Sequence, residues 1–153
     1  MKRNSLLGAM ISAALVALVG CATGPPHALL QAADRTMASG NSRRALEQYD
    51  AIADSPKASP QERVTALVGA ARACDLLQDR AGAIDRLERA TEQDVPGATE
   101  PAYFFLAEHV RDADRPRALN LYYRAAAGAE KNRFHKWPYQ AAMDRIVEMS
   151  MAR

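Results

Sequence analysis

The sequence predicts an all-α fold, on three observations. Alanine and arginine are abundant and Val, Ile and Thr seldom occur in runs, a composition that favours helix over strand. From His27 onward, apolar residues recur at i, i+3 and i+4. The periodic stretches are bounded by helix start and stop signals, with Ser, Thr, Asn or Asp before them and Gly or Pro at their ends.

The first element precedes the fold. Lys2 and Arg3 form a positive region, Leu6 to Val19 an apolar run, and Leu18-Val19-Gly20-Cys21 closes it. This order reads as a secretory signal, and the run is short of the about 20 apolar residues that a membrane-crossing helix needs. The Leu-Val-Gly-Cys exit resembles the bacterial lipobox. That resemblance implies a diacylglycerol on the Cys21 thiol, cleavage before the cysteine and an acylated new amine. Several acyl chains on one residue would anchor the protein stably, whereas one alone holds reversibly. Residue 22 is Ala and not Asp, which by the same resemblance implies an outer-membrane, periplasm-facing protein of a Gram-negative bacterium. The alternative is a plain signal peptide, or an uncut anchor, with a chance cysteine.

Removing residues 1–20 would take away Lys2 and Arg3 and no acid, so the 20 basic side chains become 18 and balance the 18 acidic ones. A neutral balance points to no nucleic acid or charged membrane surface as partner. About 130 residues suit one domain with a real core. With Cys21 acylated, Cys74 stands alone and is expected as a small buried apolar residue.

Residues 21–26 are the lipidated cysteine and a short tether stiffened by Pro25 and Pro26. The first helix comes next, with Leu29, Leu30, Ala33, Thr36 and Met37 on one face. Gly40 suits the left-handed position after it, and Asn41 or Ser42 caps the second helix, which carries Ala45, Leu46, Tyr49, Ile52 and Ala53. Ser59-Pro60-Gln61-Glu62 predicts an N-cap, a first-turn proline and a capping box. The third helix then runs to about Gln78 through Val64, Leu67, Val68, Ala71 and Cys74. Asp79 caps a fourth helix with Ala83, Ile84, Leu87 and Ala90, closed by Val95-Pro96-Gly97. Thr99 caps a fifth with Phe104, Phe105, Leu106 and Val110. Asp114 caps a sixth with Ala118, Leu119, Tyr122, Ala125 and Ala126, ended by Gly128. Pro138 opens a seventh with Tyr139, Ala142, Met143, Ile146 and Val147.

The second, fourth and sixth helices superpose as Arg44-Ala45-Leu46-x-x-Tyr49-x-x-Ile52, Gly82-Ala83-Ile84-x-x-Leu87-x-x-Ala90 and Arg117-Ala118-Leu119-x-x-Tyr122-x-x-Ala125. Their alanines are 38 and 35 residues apart. The pattern resembles the tetratricopeptide repeat at Gly40-Asn41, Ala45, Tyr49 and Pro56, at Ala83, Leu87 and Ala90, and at Ala118, Tyr122 and Ala125. It departs from that repeat in lacking the early Trp and the Leu-Gly pair in the first two units, and in having Gln78-Asp79 where a glycine turn belongs. The resemblance implies a right-handed superhelix of about three helical hairpins over residues 27–130. Residues 131–153 would then form a linker and a capping helix, because such hairpins bury their apolar faces only against neighbours. The alternative is a non-repetitive helical bundle.

No catalytic function, metal or cofactor is expected. His27, His109 and His135 lack zinc-ligand spacing, and no nucleophile elbow, phosphate-cradling Gly-rich loop or CxxC pair occurs. By the repeat resemblance, the first helix of each unit lines a concave groove, which transfers to Asp34 and Met37, to Arg72 and Asp75, and to Glu108 and Arg111. Fixed charges there suit a peptide of alternating charge or a free carboxylate. The plainer reading is surface pairing of Arg72 with Asp75 and of Glu108 with Arg111. Eight of the nine aromatics lie after residue 100, and Tyr103, Tyr123 and Trp137 are the candidates for exposure. The resulting expectation is a membrane-anchored scaffold or adaptor that binds an envelope protein in secretion, pilus or polysaccharide-export machinery. A peptidoglycan or glycan binder using Trp137 is the rival.

Overall fold

A computed structural model describes residues 24–131 and 136–151 of the chain. The leader, Cys21 and His135 lie outside the described residues, and the lipobox reading with them. Among the described residues there are seven helices and no strand: α1 (Pro26–Ala38), α2 (Ser42–Ala53), α3 (Pro60–Leu76), α4 (Arg80–Glu92), α5 (Glu100–Val110), α6 (Arg115–Lys131) and α7 (Lys136–Met151). None is long and apolar enough to cross a membrane.

Each helix packs against the next in sequence. The odd-numbered helices also approach one another, α1 to α3, α3 to α5 and α5 to α7. The even-numbered helices are joined through long side chains. Arg86 of α4 makes two bonds to Asp50 of α2, at 2.9 and 2.6 Å, and Arg89 reaches Asp54 at 2.7 Å. Arg117 of α6 reaches Glu88 of α4 at 2.6 Å.

The core is built on small residues. Helix α3 buries Val64, Ala66, Leu67, Gly69, Ala70, Ala71, Ala73 and Cys74, more than one amphipathic stripe, because α1, α2, α4 and α5 all touch it. Its run of Ala and Gly is what lets four neighbours close in. A Cβ at Gly69 would stand 2.6 Å from the Tyr49 ring, so the α2 tyrosine lies directly on the α3 backbone. Burial raises the pKa of the Cys74 thiol, as expected of a core cysteine.

The helix ends obey the predicted signals at most positions. Ser59 and Glu62 form the reciprocal capping box. Asn41, Asp79 and Asp114 each accept a bond from the backbone N–H three residues on. After α1, the Gly40 N–H donates to Met37 O and the Asn41 N–H to Thr36 O, with Gly40 at φ +84°. After α3, the same two bonds recur from Gln78 to Asp75 and from Asp79 to Cys74, with Gln78 at φ +60°. The missing glycine has therefore not changed the turn.

Three expectations need correction. Thr99 occupies the N-cap position of α5, but its hydroxyl bonds both the N–H and the C=O of Val95 instead of the helix. Gly128 does not end α6, which continues to Lys131. A Cβ there would stand 2.5 Å from Glu100 Oε1, so the residue serves close packing. Pro138 does not open α7. It stands in the first turn of a helix that begins at Lys136, where its missing N–H costs nothing.

Candidate functional site

The expected groove residues sit on α1, α3 and α5, the helices that approach one another, with Arg111 as the C-cap just after α5. Asp34 of α1 accepts a short hydrogen bond from the Tyr49 hydroxyl. Burial first, and that bond second, raise the Tyr49 pKa well above the usual phenol range, while Arg72 pulls the other way. Arg72 is exposed and makes no ion pair among the described residues, so the expected pairing with Asp75 is not formed. Asp75 instead faces His109 Nε2 of α5 at 3.2 Å, which ties α3 to α5. Met37 is half-buried against the core.

Glu108 is the most connected of the set. Its Oε1 accepts from the Tyr122 hydroxyl at 2.5 Å and from Arg145 Nε of α7 at 2.9 Å. Its Oε2 lies 3.6 Å from Arg111, as expected for the i, i+3 pair. Tyr122 is shifted upward by burial first and Glu108 second. A tyrosine thus holds an acid on the preceding helix in the α1–α2 and α5–α6 pairs. In α3 and α4 the sequence alignment puts Arg72 and Leu87 at the corresponding positions. Arg111 and Arg145 also border a cleft of about 250 Å³ with Asp112, Arg115, Glu148 and Met149.

Trp137 lies apart from these, on α7. It is 51 % exposed, and its other face packs on Phe104 and Phe105, with ring centroids 5.4 and 5.5 Å away. Tyr123 is also exposed, but Tyr103 is only 5 % exposed and so does not join an aromatic surface. The reason is local. Arg124 lies over the Tyr103 ring at 4.1 Å, and the hydroxyl points back to Thr91 O at 3.4 Å.

One constellation was not expected from the sequence. Asp94, Val95, Gly97, Glu100, Tyr103 and Arg124 border a cleft of about 460 Å³ between the α4–α5 loop and α6. Glu100 is 5 % exposed. Its Oε1 accepts the Gly97 N–H at 2.9 Å, while Oε2 is buried with no hydrogen-bond partner among the described residues. A glutamate in the first turn of a helix normally reads as a dipole partner in solvent. Gly128, on the neighbouring helix and 28 residues on in sequence, was the available hint. Among the described residues no group of three or more His, Cys, Asp or Glu is placed to hold a metal ion. Compared with known protein families, curated proteins and solved structures, the chain matches none.

Proposed function

We propose that the protein is a lipoprotein of the outer membrane, held by acyl chains on Cys21 and facing the periplasm, whose helices form a protein-binding scaffold. In this reading the hairpins α1–α2, α3–α4 and α5–α6 are tetratricopeptide-like units stacked as a right-handed superhelix, and α7 caps the last unit. The observation that carries it is the asymmetry of packing. The odd helices approach each other directly and the even helices are spread to the reach of Arg–carboxylate pairs, which favours a stack curved toward α1, α3 and α5. Arg72 of α3 is exposed and makes no ion pair among the described residues, which suits it to a carboxylate of an extended partner. The lipid would keep the partner at high local concentration beside the membrane. The fitting context is envelope assembly, in secretion, pilus or polysaccharide-export machinery.

Crosslinking in cells tests this. The wild type should capture an envelope protein that an Arg72→Ala/Arg111→Ala double variant loses, and Cys21→Ala should release the protein from the membrane. Retention of both membrane and partner by Cys21→Ala would sink the anchoring part of the proposal. A glycan-binding reading is favoured by the half-exposed Trp137 ring backed by two phenylalanines. It requires that Trp137→Ala stop the protein sedimenting with cell wall.

A further inference from the structure

The cleft beside α5 holds opposite charges that do not meet. Glu100 lines it, and its Oε2 is buried without a donor among the described residues. Arg124 lines it too, and its guanidinium is fixed over the Tyr103 ring without an ion pair to Glu100 or any other described acid. The two are nonetheless close in the fold. Gly128, whose added Cβ would touch Glu100 Oε1 at 2.5 Å, is one helical turn from Arg124 on the same face of α6. Burying a carboxylate oxygen without a partner is unfavourable, and native structures rarely tolerate it without a ligand, ion or water to satisfy it. Gly128 leaves room for the side chain, since a Cβ there would force it to shift.

We propose that this cleft binds a small zwitterion of the α-amino-acid class. The ammonium would donate to Glu100, and the carboxylate would take a two-pronged bond from Arg124. The Tyr103 face fixes the guanidinium plane and so the direction of that bond. A cleft of about 460 Å³ leaves room for a side chain beyond the two charged groups. Asp94 stands exposed at the border and makes the cleft's own balance two acids to one base. A basic amino acid is therefore preferred over an acidic one. Oε2 is buried in this structure, so the ammonium reaches the carboxylate only when the Glu100 side chain swings toward the cleft about its inner torsions. None of the expected groove residues Asp34, Met37, Arg72, Asp75, Glu108 and Arg111 lines this cleft, so binding here does not use them.

The test is calorimetric titration of the full-length protein in detergent with L-lysine, L-glutamate, the dipeptide Lys-Ala and methylammonium. L-lysine should bind with a Kd below about 1 mM, at least tenfold more tightly than L-glutamate. Arg124→Ala changes an exposed residue and should weaken lysine at least about tenfold with the fold unchanged by circular dichroism. Glu100→Gln keeps the shape and should do the same. Lys-Ala, which separates the ammonium from the carboxylate, should bind weakly, and so should methylammonium. No binding of L-lysine at about 10 mM, or equal binding of methylammonium, overturns the proposal. Unchanged lysine affinity in Arg124→Ala does so as well.

Discussion

Gly40 and Gln78 hold the same turn with different side chains, which makes the pair a direct measure of backbone strain. A Cβ at Gly40 would meet nothing within 4 Å, so Gly40→Ala costs only the left-handed conformation, about 1 kcal/mol. Gln78 already bears that cost, offset in part by its side-chain bond to Asp75 O at 3.3 Å. Gln78→Gly should raise stability by about 0.5–1 kcal/mol, or about 2–4 °C in thermal melting. A melt in which Gln78→Gly is less stable than wild type would show that the side-chain bond outweighs the torsion. Single residues differ in how much they disclose. Ser59-x-x-Glu62 was legible because both partners of the capping box lie within one turn. Thr99 was not, because its hydroxyl is diverted to Val95 by a loop conformation that no local pattern encodes. Glycine is written the same whether it supplies a positive φ, as at Gly40, or clearance for a neighbour, as at Gly128. The second use depends on Glu100 arriving from another helix.

At the scale of elements, tyrosines on α2 and α6 tie these helices to α1 and α5. Tyr49 and Tyr122 are buried, are bonded to Asp34 and Glu108, and have pKa values raised by burial first and the acid second. In the unfolded chain a phenol ionises near pH 10, but in the folded one it stays protonated to higher pH. The unfolded state then binds fewer protons, so this contribution is complete below about pH 10 and is lost as pH rises toward the folded values. Denaturant midpoints should therefore fall between about pH 10 and 12, and Tyr49→Phe and Tyr122→Phe should flatten the fall. Equal slopes in wild type and the double variant would remove the tyrosines from the account. Gly69→Ala bears on the contact between α2 and α3. Alanine gains about 1 kcal/mol in helix propensity, but its Cβ would press on a Tyr49 ring that is itself 2 % exposed. Overpacking costs about 1–3 kcal/mol, so the net effect should be a lower melting temperature. The helices themselves were legible because their apolar spacing is a local property. The all-round burial of α3 was not read from its stripe, though the run of small residues through Gly69, Ala70, Ala71 and Ala73 carries that signal.

Across the whole molecule, backbones approach between sequence neighbours and along the odd series to the next but one, and arginine–carboxylate pairs link the even series to the next but one; among the described residues no close helix approach joins α1 to α5 or beyond. Stability in such an arrangement is close to a sum over neighbours, so the ends open independently of the middle. Helix α1 buries only Ala33 completely, whereas α3 buries eight residues and is touched by four helices. Amide exchange should therefore be faster in α1 than in α3 by about a hundredfold or more, as expected when an end opens without global unfolding. Gly40→Ala sharpens the test, since it loads about 1 kcal/mol of strain onto one junction without touching any other atom. If energies are passed only between neighbours, the variant should speed exchange in α1 and α2 several-fold and leave α5 and α6 near their wild-type rates. Equal acceleration in all the helices would mean that the chain opens as one cooperative unit, and the additive description of its stability would have to be abandoned.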